Sequence, residues 1–133
     1  MALIVADTDV LIDFLRGKGA GADRVAFELA RGDLATTAVT VFELLAGAHG
    51  KRSVQAVDAL LAGLAILPLE TEAARAAAEV RRDLESSGLG IGMGDSLIAG
   101  ICLRNRKILL TRNRKHFERV KGLSLGTITV KEL

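Results

Sequence analysis

Residues 2–15 read ALIVADTDVLIDFL. The five residues before Asp7 are apolar and match the length of a buried strand, whereas the apolar residues after Asp9 recur at helical spacing. A strand therefore runs through a short acidic loop into a helix. Further apolar runs of strand length lie at residues 34–38, 65–67, 107–110 and 126–130, with amphipathic segments between them. Strands that are apolar on both faces and alternate with helices predict an α/β protein with a mainly parallel central sheet covered on both sides.

Length and composition limit the classes of protein that fit. A chain of 133 residues and 14.0 kDa has the usual size of one domain, so we expect residues 1–133 to form a single domain. Hydrophobic residues at 50% and charged residues at 26% exclude a disordered chain. The uncharged stretches fall short of the ~18 apolar residues that span a bilayer. No basic leader precedes the first apolar run, so we expect a cytoplasmic protein.

Cysteine and histidine are too few for the common disulfide and zinc sites. The single Cys102 has apolar neighbours, so we expect a buried thiol and no disulfide or cysteine-based zinc site. His49 and His116 lie far apart and match no zinc-binding spacing. The chain has no Trp or Tyr, which excludes a single-strand binding module built on stacking platforms. We expect the four phenylalanines in the core: Phe14, Phe27, Phe42 and Phe117.

Polar residues follow the predicted strands at the points where the strands end. In an open parallel sheet the carboxyl ends of the strands border the functional crevice. Asp95 opens the helix that leads into the fourth strand, and this places it on the same rim. The residues of the rim are Asp7, Thr8 and Asp9 after the first strand, Thr40 and Glu43 after the second, Asp95, and Thr111 and Asn113 after the fourth.

Each acidic or amide residue of this rim also has a purely structural interpretation. Asp7, Asp95 and Asn113 are suited to cap helices at whose starts they lie. Thr40 and Glu43 match a capping box, in which Glu43 accepts from the amide of Thr40. Taken together, however, several carboxylates at one edge repel each other unless a cation lies between them. Oxygen ligands without His or Cys favour Mg²⁺ or Mn²⁺, so the rim predicts a divalent metal site.

Basic residues are concentrated towards the carboxyl end of the chain. Between Arg104 and Lys121 the only acidic residue is Glu118. Such a face suits a polyanion, because neutralising phosphates releases counterions, whereas the alternative is an ordinary solvated helix surface. An acidic metal pocket beside a basic face is typical of phosphodiester cleavage. The residues of this face that we expect to contact phosphates of the substrate are Arg104, Arg112, Arg114 and Lys115.

One predicted helix carries an apolar stripe that is a candidate dimer surface. The stripe is more apolar than a solvated helix of a small monomer should expose, and symmetric pairing is the commonest way to bury such a patch. The alternative is that it packs inside its own core. The stripe consists of Val54, Val57, Leu60 and Leu61.

Four segments of the chain resemble the motifs of a known family in their order and spacing. On these motifs the chain resembles the PIN-domain ribonucleases and, more narrowly, the VapC toxins of type II toxin–antitoxin operons. One such motif alone would be a weak signal, whereas four in order are specific. The segments are residues 7–15 (DTDVLIDFL), 40–44 (TVFEL), 94–99 (GDSLIA) and 111–117 (TRNRKHF).

This resemblance implies a three-layer α/β/α sandwich and an endoribonuclease that depends on Mg²⁺ or Mn²⁺. It also implies a homodimer that a cognate VapB-like antitoxin inhibits. Asp7, Glu43 and Asp95 match the three invariant acids, which implies metal binding and catalysis, and Asn113 stands at the position of a fourth acid. His116 departs from the pattern, since an Asp is common there, and it leaves open whether one metal or two are bound. The candidate pocket residues are Thr8, Thr40 and Thr111.

Two other functions fit part of the pattern. Asp7 and Asp9 after a first strand also resemble the nucleophile motif of haloacid-dehalogenase-like phosphatases, in which Asp7 attacks phosphorus and Asp9 acts as the acid. Alternatively, the acidic residues bind a cation without chemistry, in a non-catalytic interaction module. Metal-dependent RNA cleavage, phosphatase turnover or neither distinguishes the three functions. The sequence does not name the RNA.

Overall fold

The computed structural model describes residues 3–129 and contains a four-stranded sheet. Its strands are β1 (Ile4–Ala6), β2 (Leu34–Thr37), β3 (Ala65–Leu67) and β4 (Ile108–Leu110). They lie in the order β3-β2-β1-β4, and every neighbouring pair is parallel. The register places Ile4 beside Leu34 on one side and beside Ile108 on the other. The prediction of a mainly parallel sheet is confirmed.

Helices connect the strands and flank the sheet. Among residues 3–129 they are α1 (Thr8–Arg16), α2 (Ala20–Arg31), α3 (Ala38–Gly47), α4 (Lys51–Ala62), α5 (Thr71–Ser86), α6 (Met93–Asn105) and α7 (Arg114–Phe117). None of the helices in this part of the chain is long and apolar enough to cross a membrane.

Successive residues of β1 enter two separate hydrophobic cores. Val5 packs with residues of α5, α6 and α7 on one face of the sheet. Ile4 and Ala6 pack with residues of α1, α2 and α4 on the other face. All three side chains are buried, as expected for a central strand of a parallel sheet covered on both faces. The three-layer α/β/α sandwich is therefore confirmed.

Two glycines allow the helices that carry the rim residues to pack closely on their neighbours. In the sequence Gly21 has the pattern of a chain break, but it lies inside α2, where an added Cβ would come 2.6 Å from Cβ of Val10 on α1. On α6, a Cβ at Gly100 would come 2.6 Å from Cβ of Ala77 on α5. Both helix pairs therefore approach more closely than a larger residue would allow.

The prediction of a strand over residues 126–130 is wrong for residues 126–129, which form no strand. Val130 lies outside the described range. The segment meets β4 only around Leu109, which forms an isolated parallel bridge with Leu125. Beyond this point the side chain of Arg24 on α2 donates to the carbonyl of Thr127. Contact with a helix side chain thus takes the place of a strand ladder.

The apolar stripe on α4 packs largely within its own chain. Val57 and Leu60 are buried in the core beneath α4, and Leu61 packs against the same core. Only Val54 of this stripe is exposed. The prediction that this stripe forms the dimer surface is therefore wrong, because three of its four side chains already pack within the core of their own chain.

The phenylalanines do not all lie in the core. Phe117 is buried as expected, and Phe14 and Phe27 are partly buried. Phe42 is 70% exposed, whereas the buried residues of α3 are Val39, Thr40 and Leu44. Met93 at the start of α6 is 66% exposed. The most exposed large apolar side chains of the described residues therefore lie on α3 and α6, and the only such exposed side chain on α4 is Val54.

Candidate active site

The rim of the sheet joins residues that are distant in sequence. Asp7 follows β1 directly and is 5% exposed. Its Oδ1 accepts a hydrogen bond from the amide of Thr8 at 2.7 Å, which confirms Asp7 as the N-cap of α1. Its Oδ2 accepts a hydrogen bond from the hydroxyl of Thr111, just after β4, at 2.7 Å. Asp7 therefore caps a helix and also links the carboxyl ends of β1 and β4.

The environment of Asp7 disfavours its charged form. Burial, together with the negative charges of Asp9 and Asp95, raises the pKa of Asp7 from an ordinary 3.8 to about 7. The hydrogen bonds from Thr111 and Thr8 act in the opposite direction. A carboxylate in this setting gains more than an exposed one from a nearby cation, since the cation removes the cause of the raised pKa.

Asp9 lies beside Asp7 and holds the loop after β4. Its Oδ2 accepts a hydrogen bond from the amide of Arg112 at 3.0 Å and lies 3.4 Å from the hydroxyl of Thr111. Its Oδ1 is a buried acceptor without a hydrogen-bond partner among the described residues. Burial also raises the pKa of Asp9. Within residues 3–129, the side of the site next to Asp7 therefore has a buried acceptor that no hydrogen bond satisfies.

An ion pair between the exposed Arg112 and the buried Asp13, one turn further along α1, holds the same loop. Oδ2 of Asp13 lies 2.8 Å from Nε of Arg112 and accepts a hydrogen bond from the amide of Gly21 at 2.9 Å. Asp9 and Asp13, four positions apart on one helix face, thus fix the backbone and the side chain of Arg112. This pairing is not predicted from the sequence, although the four-residue spacing of Asp9 and Asp13 indicates that both lie on one face of a helix.

Glu43 has a different partner from the one that the capping box predicts. The N-cap of α3 is Thr37, whose hydroxyl oxygen accepts from the amide of Thr40 at 3.1 Å. Glu43 instead accepts a hydrogen bond from the hydroxyl of Thr8 at 2.5 Å, and that hydroxyl lies 3.0 Å from the hydroxyl of Thr40. A Cβ at Gly94 would come 3.0 Å from Oε2 of Glu43. The carboxylate of Glu43 therefore lies where α1, α3 and α6 meet.

Asp95 and Asn113 contact each other and His116. Nδ2 of Asn113 lies 3.3 Å from Oδ2 of Asp95 and 2.9 Å from Nδ1 of His116. The predicted capping role is wrong for Asp95, since α6 is capped by Gly92. Asn113 does stand at the N-cap position of α7, as predicted, but its side chain makes no capping hydrogen bond. The polar side-chain atoms of Asp95 and Asn113 therefore contact each other and His116 and not the backbone at the helix ends.

The donor set fits a hard divalent cation. In the described range of residues 3–129, no three His, Cys, Asp or Glu side chains stand together as a ready-made metal group. Mg²⁺ is usually held by one or two carboxylates and keeps several waters, so it needs no such group. The charges of Asp7, Asp9 and Asp95 interact, and the buried Oδ1 of Asp9 has no protein donor. Both observations favour a cation at this rim.

The residues predicted to bind RNA differ in the ion pairs and hydrogen bonds that they already make within the protein. Arg112 pairs with Asp13 as described, and Arg104 lies 3.4 Å from Glu70. Arg114 donates to the carbonyl of Gly126 at 2.8 Å and lies 3.7 Å from Glu118. Lys115 is exposed and makes no ion pair within residues 3–129. The contact of these residues with RNA stays a prediction.

An apolar groove that the sequence did not reveal opens beside Glu43. It lies between α1, α3 and α4 and has a volume of about 330 Å³. Its lining includes Ile12, Leu15, Leu44, Ala56 and Val57, together with Glu43. The groove therefore connects an apolar surface with one of the rim acids.

Cys102 takes no direct part in this chemistry. It is a free and fully buried thiol, as the sequence predicts. Burial, together with the charge of Asp7, raises the pKa of the thiol to about 12. The neutral thiol is a poor nucleophile, so Cys102 serves as a small core residue.

Residues 4–123 match the sequence profile of the family described as the PIN domain. The chain is 29% identical over 127 residues to the tRNA(fMet)-specific endonuclease VapC of Shigella flexneri, covering 92% of this chain and 96% of that protein. It is 35% identical over 115 residues to ribonuclease VapC10 of Mycobacterium tuberculosis, covering 86% of each. The crystal structure of DNA-bound VapBC from Salmonella typhimurium contains a chain of similar fold, with a TM-score of 0.84 at 23% identity over 96% of this chain and 99% of that one.

Proposed function

This chain belongs to the PIN-domain family and, within it, to the VapC ribonucleases, and from this premise we propose that it is the toxin of a type II toxin–antitoxin system, an endoribonuclease that hydrolyses RNA with Mg²⁺ or Mn²⁺. The observation that carries the proposal is the state of Asp7. This buried carboxylate has a pKa raised to about 7 by burial and by two neighbouring acids. Such a cluster is stabilised by a divalent cation at the rim.

The rim residues have distinct tasks in this proposal. Asp7 and Asp95 hold the metal, and Glu43 either binds it or orients the attacking water. When bound, the metal polarises the phosphoryl oxygen and lowers the pKa of a water molecule. The hydroxyl of Thr8 fixes Glu43, and the hydroxyl of Thr111 fixes Asp7. These bonds keep the acids in place without neutralising them.

The loop after β4 connects the acids to the RNA backbone. Asp9 and Asp13 hold Arg112 through its amide and its side chain. This arrangement places Asn113 against Asp95 and leaves Lys115 exposed to solvent. Lys115 and Arg114 then contact phosphates, which gives attraction without base recognition.

A VapB-like antitoxin is the proposed protein partner. The neighbour from Salmonella typhimurium is a VapBC complex, and the groove beside Glu43 offers an apolar surface for a partner segment. Because a guanidinium pairs with carboxylates and stays charged, an antitoxin arginine would compete with the metal for the rim acids. The groove and the acids together suit a segment with apolar residues and an arginine.

The chain is also proposed to form a homodimer. Phe42 and Met93 are exposed apolar residues that precede Glu43 on α3 and Gly94 on α6, and a Cβ at Gly94 would come 3.0 Å from Oε2 of Glu43. They are the candidates for the dimer surface in place of the α4 stripe, because a second copy would remove both from water.

The test of this function is RNA cleavage by the metal-free protein after adding back Mg²⁺, Mn²⁺ or Ca²⁺. We expect cleavage to require Mg²⁺ or Mn²⁺, to disappear in Asp7→Asn and Asp95→Asn, and to fall by about 100-fold or more in Glu43→Gln. Asp58→Asn, which changes an exposed acid on α4, is the control and should cleave normally. Undiminished cleavage in the presence of a chelator would contradict the proposal. Asp7-dependent turnover of a phosphate monoester without RNA cleavage would favour a phosphatase.

A further inference from the structure

Three polar side chains at one side of the rim form a small triangle. Nδ2 of Asn113 lies 3.3 Å from Oδ2 of Asp95 and 2.9 Å from Nδ1 of His116. The third side, between Oδ2 of Asp95 and Nδ1 of His116, measures 3.2 Å. The residues come from α6, from the loop after β4 and from α7. All three are partly exposed, so a solvated ion can reach them.

The polarity of these atoms is the first argument for a ligand. The amide nitrogen of Asn113 donates to Oδ2 of Asp95, whereas Nδ1 of His116 accepts from this amide in one tautomer and donates to Oδ2 of Asp95 in the other. In the tautomer that carries its proton on Nε2, Nδ1 of His116 and Oδ2 of Asp95 both present lone pairs towards the amide of Asn113. Rotating the side-chain amide of Asn113 by half a turn about its Cβ–Cγ bond would exchange the positions of its nitrogen and its oxygen. The rotated amide fits the same space, because the two atoms are similar in size. Three electron-pair donors, two oxygens and one nitrogen, would then lie within 3.3 Å of each other.

The size of the triangle is the second argument. Neighbouring ligands on an octahedral ion, with bonds of about 2.1 Å, are about 3 Å apart. The three sides, at 2.9, 3.2 and 3.3 Å, are close to this spacing. The triangle therefore matches one face of an octahedron with two oxygen ligands and one nitrogen ligand.

We infer that Asp95, Asn113 and His116 form a mixed oxygen and nitrogen metal face, which makes the site prefer a first-row transition ion such as Mn²⁺ to Mg²⁺. The inference rests on the proposed function, because Asp95 is one of the acids assigned there to the metal. Imidazole is a good ligand for transition ions, whereas Mg²⁺ selects carboxylate oxygen and water. An oxygen ligand in place of His116 would remove this preference.

The experiment uses the full chain, stripped of metal with a chelator and then titrated with Mn²⁺ or Mg²⁺ alone. We measure affinity by calorimetry, and coordination by the ¹⁴N modulation of the electron spin echo of bound Mn²⁺. Wild type should show imidazole nitrogen coupling, and His116→Asp should lose it and lower the ratio of Mn²⁺ to Mg²⁺ affinity by about tenfold. His116→Gln removes the nitrogen without adding charge and serves if His116→Asp does not fold. His49→Asp changes the other histidine, which is exposed, and should behave as wild type.

The outcomes separate this inference from the proposed function. Mn²⁺ that binds to wild type without nitrogen coupling would overturn the metal face and leave the proposed metal-dependent function standing. An unchanged affinity ratio in both His116 variants would do the same, and it would assign the triangle to hydrogen bonding alone. Failure of wild type to bind either ion would overturn both proposals.

Discussion

Thr111 donates its hydroxyl to Oδ2 of Asp7 at 2.7 Å, although the two residues lie 104 positions apart in the chain. The contact joins the residues that directly follow β4 and β1. The same hydroxyl oxygen accepts a hydrogen bond from the amide of Asn113 at 3.0 Å, and the side chain of Asn113 contacts Asp95. One buried hydroxyl therefore links two acids that the sequence places on separate elements.

Removal of this hydroxyl should destabilise the protein. Thr111→Val keeps the shape but leaves a buried acceptor of Asp7 and the amide of Asn113 without partners, at a cost of about 1–3 kcal/mol. Thr111→Ser keeps the hydroxyl and should stay closer to wild type. Urea denaturation of the metal-free proteins measures both. Equal stability of the valine variant and wild type would show that the hydroxyl does not fix Asp7.

Asp7 should make the metal-free protein less stable as the pH rises. Its pKa is about 7 when folded, against an ordinary 3.8, so the unfolded chain loses this proton first. The favourable contribution is complete below about pH 4 and is lost as the pH rises towards 7 and above. Between pH 5 and 8 the Tm of wild type should therefore fall relative to Asp7→Asn, by roughly 4 °C or more. Asn still caps α1, so the comparison isolates the charge.

Divalent metal should reverse this loss. A cation that binds the ionised carboxylate stabilises the folded state in proportion to its occupancy, and ionisation is more complete at pH 8 than at pH 5. Mg²⁺ or Mn²⁺ should therefore raise the Tm of wild type more at pH 8, with little effect on Asp7→Asn. A metal effect of equal size in both proteins would argue against Asp7 as a ligand.

The order of strands and helices could be predicted because it depends on local patterns. The apolar run before Asp7 and the helical spacing after it lie within one short stretch, and Gly32 in the left-handed conformation ends α2. Asp7 could likewise be placed at the rim, because the carboxyl ends of parallel strands share one edge. These inferences need no knowledge of distant contacts.

The predictions from the sequence were wrong where a residue that is distant in sequence determines the local structure. Glu43 lies three residues after Thr40 and so matches a capping box, but Thr8, 35 positions away, supplies its hydrogen bond. Residues 126–129 have the composition of a strand, yet Arg24 of α2 binds the carbonyl of Thr127. The exposure of Phe42 follows from the orientation of α3 on the sheet, which a local pattern does not contain.

Lys115 should contribute to the electrostatic attraction of RNA. It is exposed and unpaired within residues 3–129, whereas Arg114 already contacts Glu118 and the carbonyl of Gly126. On a catalytically inactive Asp7→Asn background, Lys115→Ala should lower the slope of log affinity against log salt by about one unit, and Arg114→Ala by less. Arg82→Ala, on the exposed side of α5, is the control. An unchanged slope for Lys115→Ala would remove this residue from the RNA surface.

Phe42 should be needed for dimerisation. It is 70% exposed and Met93 is 66% exposed, so a charge at either position would have to be buried in a dimer formed there. Light scattering of wild type should give about twice 14.0 kDa, and Phe42→Glu should give a monomer. Leu89→Glu changes another exposed apolar residue, 44% exposed between α5 and α6, and should remain dimeric. A dimeric Phe42→Glu would place the interface elsewhere.

The groove beside Glu43 should be required for antitoxin binding. Ala56 is exposed on α4 and lines this groove, whereas Ala62 is exposed at the end of the same helix and does not line it. Ala56→Glu should prevent co-purification with the product of the adjacent gene, because the larger side chain would fill part of the groove that the partner segment occupies. Ala62→Glu is the matched control and should still bind.

The partner's arginine should matter for inhibition more than for binding. If a guanidinium competes with the metal at Asp7 and Asp95, higher concentrations of Mn²⁺ should relieve inhibition of RNA cleavage. Single Arg→Ala changes in the partner should then identify one variant that still binds through the groove but inhibits poorly. Cleavage assays and binding titrations on the same complexes give both quantities. Inhibition that is insensitive to Mn²⁺ and to every arginine would mean that the partner blocks RNA from the groove alone.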